Sequence, residues 1–412
     1  MMRRHTALAL LLIALLALTL PARAQDASGK LEDLNALCSG IKAGHKNPFS
    51  VISKAEFDAQ AQGIAARLDG MTDAQFYYEL RALVASIGDA HTTIDYNDSW
   101  YTHLKALPFA VLPAQGHWYA AILPAQEADM LGWEVLAIDG IPTAEVFERA
   151  KSIISHENDV WAAQQFSNTV NFLEALQFLG VASADDAGVT LTLCEDDAAE
   201  PAQLFLPALS ETEIMTADLA RLTPQSAPVT AASGYYRALE LDGGAFFIQY
   251  NTCQEAPDMP MADFASAVGE LLRAGNYGKL ILDLRYNTGG NSAVIEPLIA
   301  ELHAFLQEHD LPVYALIGED TFSSGIIGAL DVRKHLGATL VGSPTGGSVN
   351  GYGELTSFTL PNSPMTVFYS TKYFNLVPGY EGSSLVPDIA VEATIDDLIA
   401  GRDAVVNYVL GL

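Results

Sequence analysis

Apolar residues recur at three- and four-residue spacing over residues 55–68 and 72–87, which predicts two amphipathic helices, the second capped by Thr72. The pattern then changes to alternation. Residues 107–123 read as a hairpin that bends at Gln115-Gly116, and residues 132–142 read as a further strand and turn. A helix is expected from Thr143 to about Ser155, an irregular or helical insertion over 156–187, and a return to extended structure at Gly188–Leu193. Residues 210–228 are poor in apolar side chains and read as a connection.

Beyond Tyr235 short apolar runs alternate with helical segments. Strands are expected at 244–251, 279–285, 312–318 and 338–343, and helices at 261–274, 292–307 and 323–336. Continuous apolar strands separated by helices argue for a largely parallel sheet covered on both faces. Residues 357–374 add a hairpin with Asn362-Ser363 at its turn, and residues 396–410 a closing helix.

The first 24 residues have the pattern of a secretory signal: Arg3 and Arg4, an apolar run from Ala7 to Leu20, and Ala22-Arg23-Ala24 as a cleavage site. Export to the periplasm or the extracellular space is therefore expected, and no other segment is long and apolar enough to span a bilayer. Cleavage removes three arginines and takes the formal charge from −29 to −32. Such a field disfavours nucleic acid and anionic membrane as partners. Cys38, Cys194 and Cys253 are compatible with one disulfide and one thiol or with three buried thiols. There is no HExxH and no spaced Cys/His cluster, so neither a metal nor another cofactor is expected.

Two turns carry candidate chemistry. LILDLRYNTGGN ends a strand in the bare amides of Gly289 and Gly290. DTFSSG ends the next strand with Ser323 and Ser324 at a helix start. A nucleophile beside amide donors suits acyl transfer.

In order along the chain, GDAHT, VLAIDG, LILDLRYNTGG, DTFSSG, LVGSPTGG, LPNS and LVPDI resemble the motifs of the tail-specific, C-terminal-processing serine peptidase family, whose branches include the tricorn protease core. The resemblance covers roughly residues 50–410. It implies an α/β fold: a crotonase/ClpP-like α/β catalytic core over 211–412, an N-terminal helical segment over 25–104 carrying His91, and a PDZ-like β-rich module over 105–210. It also implies a peptide or protein substrate. In the processing branch a threonine follows the nucleophile by 22 residues and a lysine by 25. Counting from Ser323 these positions are Thr345 and Ser348, so the serine matches but the lysine is absent. The tricorn-like branch uses a histidine and a glutamate instead, and His91 and Glu381 match them.

The roles implied are Ser323 as nucleophile with Ser324 as the alternative, His91 as base, and Glu381 as its carboxylate. The oxyanion donors would be the amides of Ser324 and Gly289, or Gly290. Tyr352 is a candidate cleft residue and Lys372 an alternative base. Asp89 reads as a turn former, and Asp283 with Arg285 as a structural ion pair. Two other functions compete: a non-catalytic peptide- or ligand-binding protein on the same scaffold, and an enoyl-CoA hydratase-like enzyme. Export and the lack of a basic patch for CoA phosphates count against the latter.

Overall fold

The computed structural model describes residues 26–195, 200–223 and 228–412. The signal-like segment thus lies outside the described residues. Three helices open the chain: α1 (Ala27–Gly44), α2 (Lys54–Ala65) and α3 (Asp73–Ala85). Ser53 and Thr72 each form a capping box with Glu56 and Gln75, which fixes where α2 and α3 begin. Phe76, Leu80, Leu83 and Val84 lie on one stripe of α3 and are fully buried. Gly88, at φ 71°, ends this unit and releases the chain through Asp89 and His91 into β1 (Thr93–Tyr96).

The next unit is a seven-stranded sheet. Its main path runs β2 (Ala110–Ala114), β3 (His117–Pro124), β4 (Glu134–Ile138), then β6 (Gly188–Cys194) and β7 (Ala202–Pro207). A two-residue β5 (Ile141–Pro142) pairs with β4. Gln115 and Gly116 both have positive φ, as a two-residue turn between twisted strands requires. The predicted helix after Pro142 is α4 (Thr143–Ala150) followed by one 3₁₀ turn to Ile153. The insertion folds as α5 (Asp159–Val170) and α6 (Leu173–Phe178). The connection after residue 210 is more ordered than its composition suggests. Ser210 caps α7 (Glu211–Thr216), and β8 (Leu219–Arg221) pairs with β3.

The C-terminal unit is a six-stranded sheet in the order β16-β13-β12-β11-β10-β9. It consists of β9 (Tyr236–Leu241), β10 (Ala245–Tyr250), β11 (Lys279–Asp283), β12 (Val313–Ile317), β13 (Thr339–Gly342) and β16 (Ile389–Ala390). All pairs are parallel except β9 with β10. Helices α8 (Met261–Ala274), α9 (Glu296–Leu306) and α10 (Ser324–Leu336) make the successive crossovers. Their apolar faces cover Phe246, Ile248, Leu280, Leu282 and Ala315, while the alternate residues Phe247, Ile281 and Leu316 are covered by Val405, Val406 and Val409. That two-sided burial is why these strands read as unbroken apolar runs.

The closing helix is two helices, α11 (Ile395–Ala400) and α12 (Ala404–Gly411). Gly401, at φ 67°, ends the first and Asp403 caps the second. The long hairpin β14 (Asn350–Thr359) and β15 (Met365–Asn375) pairs with β1 and so ties the N-terminal helices to the C-terminal unit. Among the described residues no helix is long and apolar enough to cross a membrane, and Cys38, Cys194 and Cys253 are all buried.

The expected Asp283–Arg285 pair is present and extends to Asp403. Arg285 donates to both oxygens of Asp283 at 2.8 and 2.9 Å and to both of Asp403 at 2.8 and 2.9 Å. All three side chains are largely buried. Arg285→Met should therefore destabilise the fold by about 3–5 kcal/mol, because two carboxylates are left without a counter-ion. Urea unfolding of the two proteins checks this.

Candidate active site

The parallel sheet places three turns side by side, after the carboxyl ends of β11, β12 and β13, where open α/β sheets bind ligands. These are the glycine turn (288–291), the serine turn (320–324) and the SPTGG turn (343–347). Backbone bonds join them: Phe322 N–H donates to Asn287 O at 2.9 Å and Gly347 N–H to Thr321 O at 3.0 Å. Thr321 donates its hydroxyl to Leu284 O at 2.9 Å. Glycine is required where the turns touch. A Cβ on Gly289 would lie 2.7 Å from Ser323 Cβ, and one on Gly325 2.3 Å from Asn287 O.

Ser323 takes φ 50° and ψ −125°, a conformation that L-residues adopt only under constraint. It stands immediately before α10, caps no helix amide with its side chain, and makes no side-chain hydrogen bond among the described residues. Ser324 differs: its hydroxyl donates to Gly290 O at 2.7 Å and pins the two turns together. Of the two serines, Ser323 is thus the one whose hydroxyl makes no hydrogen bond among the described residues.

The oxyanion assignment needs one correction. The Gly289 N–H donates to Asn287 Oδ1 at 2.9 Å and is already engaged. Among the described residues the N–H groups of Gly290 and Ser324 donate to no acceptor. Gly290 has φ 129°, and Ser324 N–H starts a helix whose dipole favours negative charge there.

His91 faces the same cleft from the other side. Its ring packs on Phe322, the residue before Ser323, with centroids 4.6 Å apart. Both ring nitrogens are buried and neither has a hydrogen-bond partner, so no bond to Ser323 is formed. Burial pushes the imidazole below its ordinary pKa, with the Asp89 charge pulling the other way. Asp89 Oδ1 accepts the His91 N–H at 2.9 Å, as expected of a turn former, and lies 3.8 Å from His91 Nδ1. His45 supports it: Nδ1 accepts the Asn47 N–H at 3.0 Å, so Nε2 carries the hydrogen and donates to Asp89 Oδ2 at 3.0 Å. Burial opposes ionisation of Asp89, but hydrogen bonds from His45 and Thr92 outweigh it and hold the carboxyl below its usual range.

Glu381 is not brought to this histidine. It is exposed on the loop before β16 and does not line the cleft, while that loop docks through Leu385 and Ser384 against Thr345 and Ser348. The second carboxylate near His91 belongs instead to Glu157, a residue the sequence reading passed over. Glu157 enters on the segment between α4 and α5, which is stitched to both halves of the site. Ser155 donates to Thr92 O at 2.6 Å, Asn158 donates to Gly346 O at 2.9 Å, and Trp161 stacks on Phe322 at 4.1 Å.

The cleft between these parts has a volume of about 600 Å³. Ile327, Val349, Leu355, Phe374 and Leu376 form an apolar wall, and Tyr352 also lines the cleft. Lys372 reaches the rim, 3.5 Å from Glu354, where it is more than half exposed and stays solvated rather than buried beside Ser323. Ser348, at the position that a lysine base would occupy, is half-buried and lines the same cleft. For a metal, one atom each from Asp89, His91 and Glu157 lie within 4.8 Å of one another, but the Asp89 oxygens already accept bonds from His45, Thr92 and the backbone. That donor set does not favour a resident ion.

Compared by sequence, the chain matches no family model and no curated protein. Solved structures do match. Mature CPAF complexed with lactacystin superposes with a TM-score of 0.61 at 13% identity, over 93% of this chain and 97% of that one. A second structure of mature CPAF gives 0.58 at 12% identity, over 93% and 96%. The photosystem II D1 C-terminal processing protease covers similar shares, 92% and 98%, at 14% identity with a TM-score of 0.42. Along nearly its whole length, then, the chain has the fold of mature CPAF.

Proposed function

We propose that the protein is a serine peptidase that hydrolyses peptide bonds through an acyl-enzyme on Ser323, with His91 as the base, and that it acts outside the cytoplasm on peptides or protein C-termini. One observation carries this reading: the free Ser323 hydroxyl stands on a constrained turn beside two unengaged amides, Gly290 and Ser324, with His91 across the cleft. Neutral His91 takes the Ser323 proton as the hydroxyl attacks the scissile carbonyl. The carbonyl oxygen becomes an oxyanion held by the two N–H groups. The imidazolium, stabilised by Asp89, gives its proton to the departing amine, and water repeats the sequence to release the acid. The apolar wall suits an extended peptide that presents a hydrophobic side chain next to the cut.

A second reading, a binding protein on this scaffold, draws on the missing hydrogen bond between His91 and Ser323. Catalytic hydrogen bonds often close only when substrate arrives, so the geometry keeps the first reading ahead. Fluorophosphonate labelling with mass mapping separates the two. Labelling at Ser323 supports the peptidase, and a folded protein that does not label supports the binding protein. Ser324→Ala should label within about tenfold of wild type, because it loses one hydroxyl-to-carbonyl bond and keeps its amide.

A further inference from the structure

Glu157 has no role in the scheme so far, yet its position is not that of a solvated surface carboxylate. It is half-buried, and its Oε1 comes within 3.1 Å of where a Gly351 Cβ would stand, so the β14 backbone passes close beside it. The Ser348 hydroxyl and the backbone N–H groups of Tyr352 and Ala90 face it. Its carboxylate, the Asp89 carboxylate and a His91 ring nitrogen form one cluster within 4.8 Å. The cluster holds two acids and one imidazole, and the imidazole has both nitrogens buried and unpartnered.

We propose that Glu157 is the positioning residue for His91: its carboxylate holds the imidazole in the cleft and stabilises the imidazolium formed when Ser323 is deprotonated. The inference rests on the Ser323–His91 reading and assigns to Glu157 the place that Glu381 does not reach. Asp89, tied to His45, Thr92 and its own turn, is fixed too firmly to follow the ring. Glu157 comes from a different segment, which is held to Thr92 through Ser155 and to Gly346 through Asn158.

The titratable groups around Glu157 are Asp89 and His91 on the loop after α3, His45 behind Asp89, and Tyr352, Glu354 and Lys372 on the hairpin wall. Burial, with the Asp89 charge adding to it, pushes the Glu157 carboxyl up to about 7. Below that pH the residue is neutral and resembles glutamine; above it the residue is the carboxylate that the proposal requires.

The test is the rate of fluorophosphonate labelling between about pH 5 and pH 9 for wild type, Glu157→Gln and Glu157→Asp. Wild type should rise in two steps, the upper near pH 7. Glu157→Gln should lack the upper step, matching wild type at the acid end and falling about tenfold or more behind at about pH 8. Glu157→Asp should restore the upper step in part. A wild-type to Glu157→Gln ratio that is constant with pH, or equal to one throughout, overturns the proposal, since it reports a structural role or none. The His91 ring resonances give a readout independent of labelling. An inflection near pH 7 that disappears in Glu157→Gln supports the proposal, and an unchanged titration refutes it. Absence of labelling in wild type refutes the peptidase reading, and the ring titration then decides the Glu157–His91 coupling by itself.

Discussion

Ser323→Ala is expected to abolish hydrolysis, with kcat falling by about 10⁴- to 10⁶-fold and any residual rate coming from the amides and binding alone. The fold should be unaffected. Ser323 makes no side-chain hydrogen bond among the described residues, so the substitution removes a hydroxyl that none of them engages. Alanine also keeps the Cβ that already packs against Gly289. Alanine pays the same backbone strain at φ 50° as serine, so the melting temperature should stay within a few degrees. The companion variant Ser323→Gly relieves that strain and should be as inactive and slightly more stable, which separates the chemical role of the residue from its conformational one. Activity assays and thermal unfolding on the same preparations check both statements.

His91→Ala is expected to cost about as much, roughly 10³- to 10⁶-fold in kcat, because nucleophile and base act as one unit. Its second effect is on packing. The ring fills the space between Phe322 and the Asp89 turn, and deleting it opens a cavity beneath the cleft that costs about 1–3 kcal/mol. His91→Gln keeps more of the volume and should recover stability without activity. The double variant Ser323→Ala/His91→Ala should be no less active than either single one. Additive losses would show that the two side chains act in separate steps.

Much of this molecule is legible in its sequence because the relevant physics is local. The two-sided parallel sheet shows as apolar runs at 244–251, 279–285 and 312–318, and the structure buries these strands on both faces. Where the reading fell short, weak local signals were at work. α7 and β8 are too short for periodicity to register, and only the Ser210 capping box marks them. The break between α11 and α12 was visible as Gly401 followed by the capping Asp403, but the apolar pattern runs through it.

The site divides in the same way. The serine and glycine turns and the GDAHT loop are contiguous motifs, and the fold sets them around one cleft. Which amides are free was not legible from glycine content alone. The Asn287 side chain two residues before Gly289 takes that N–H, a local turn that the YNTGG stretch does encode. Glu157 could not be found by pattern, since its neighbours Asp89, His91 and Ser348 come from distant stretches and meet only through tertiary packing. Glu381 shows the converse: a position with the right spacing along the chain that the loop leaves facing solvent.

The most direct test of the central claim is intact-mass spectrometry of the purified protein quenched at short times with an activated peptide ester, followed by mapping of any adduct. An acyl mass on the wild-type chain, located on Ser323, absent from Ser323→Ala and strongly slowed in His91→Ala, is the predicted result. Ester or peptide turnover that persists in Ser323→Ala, or an adduct located on Ser324, would contradict the account.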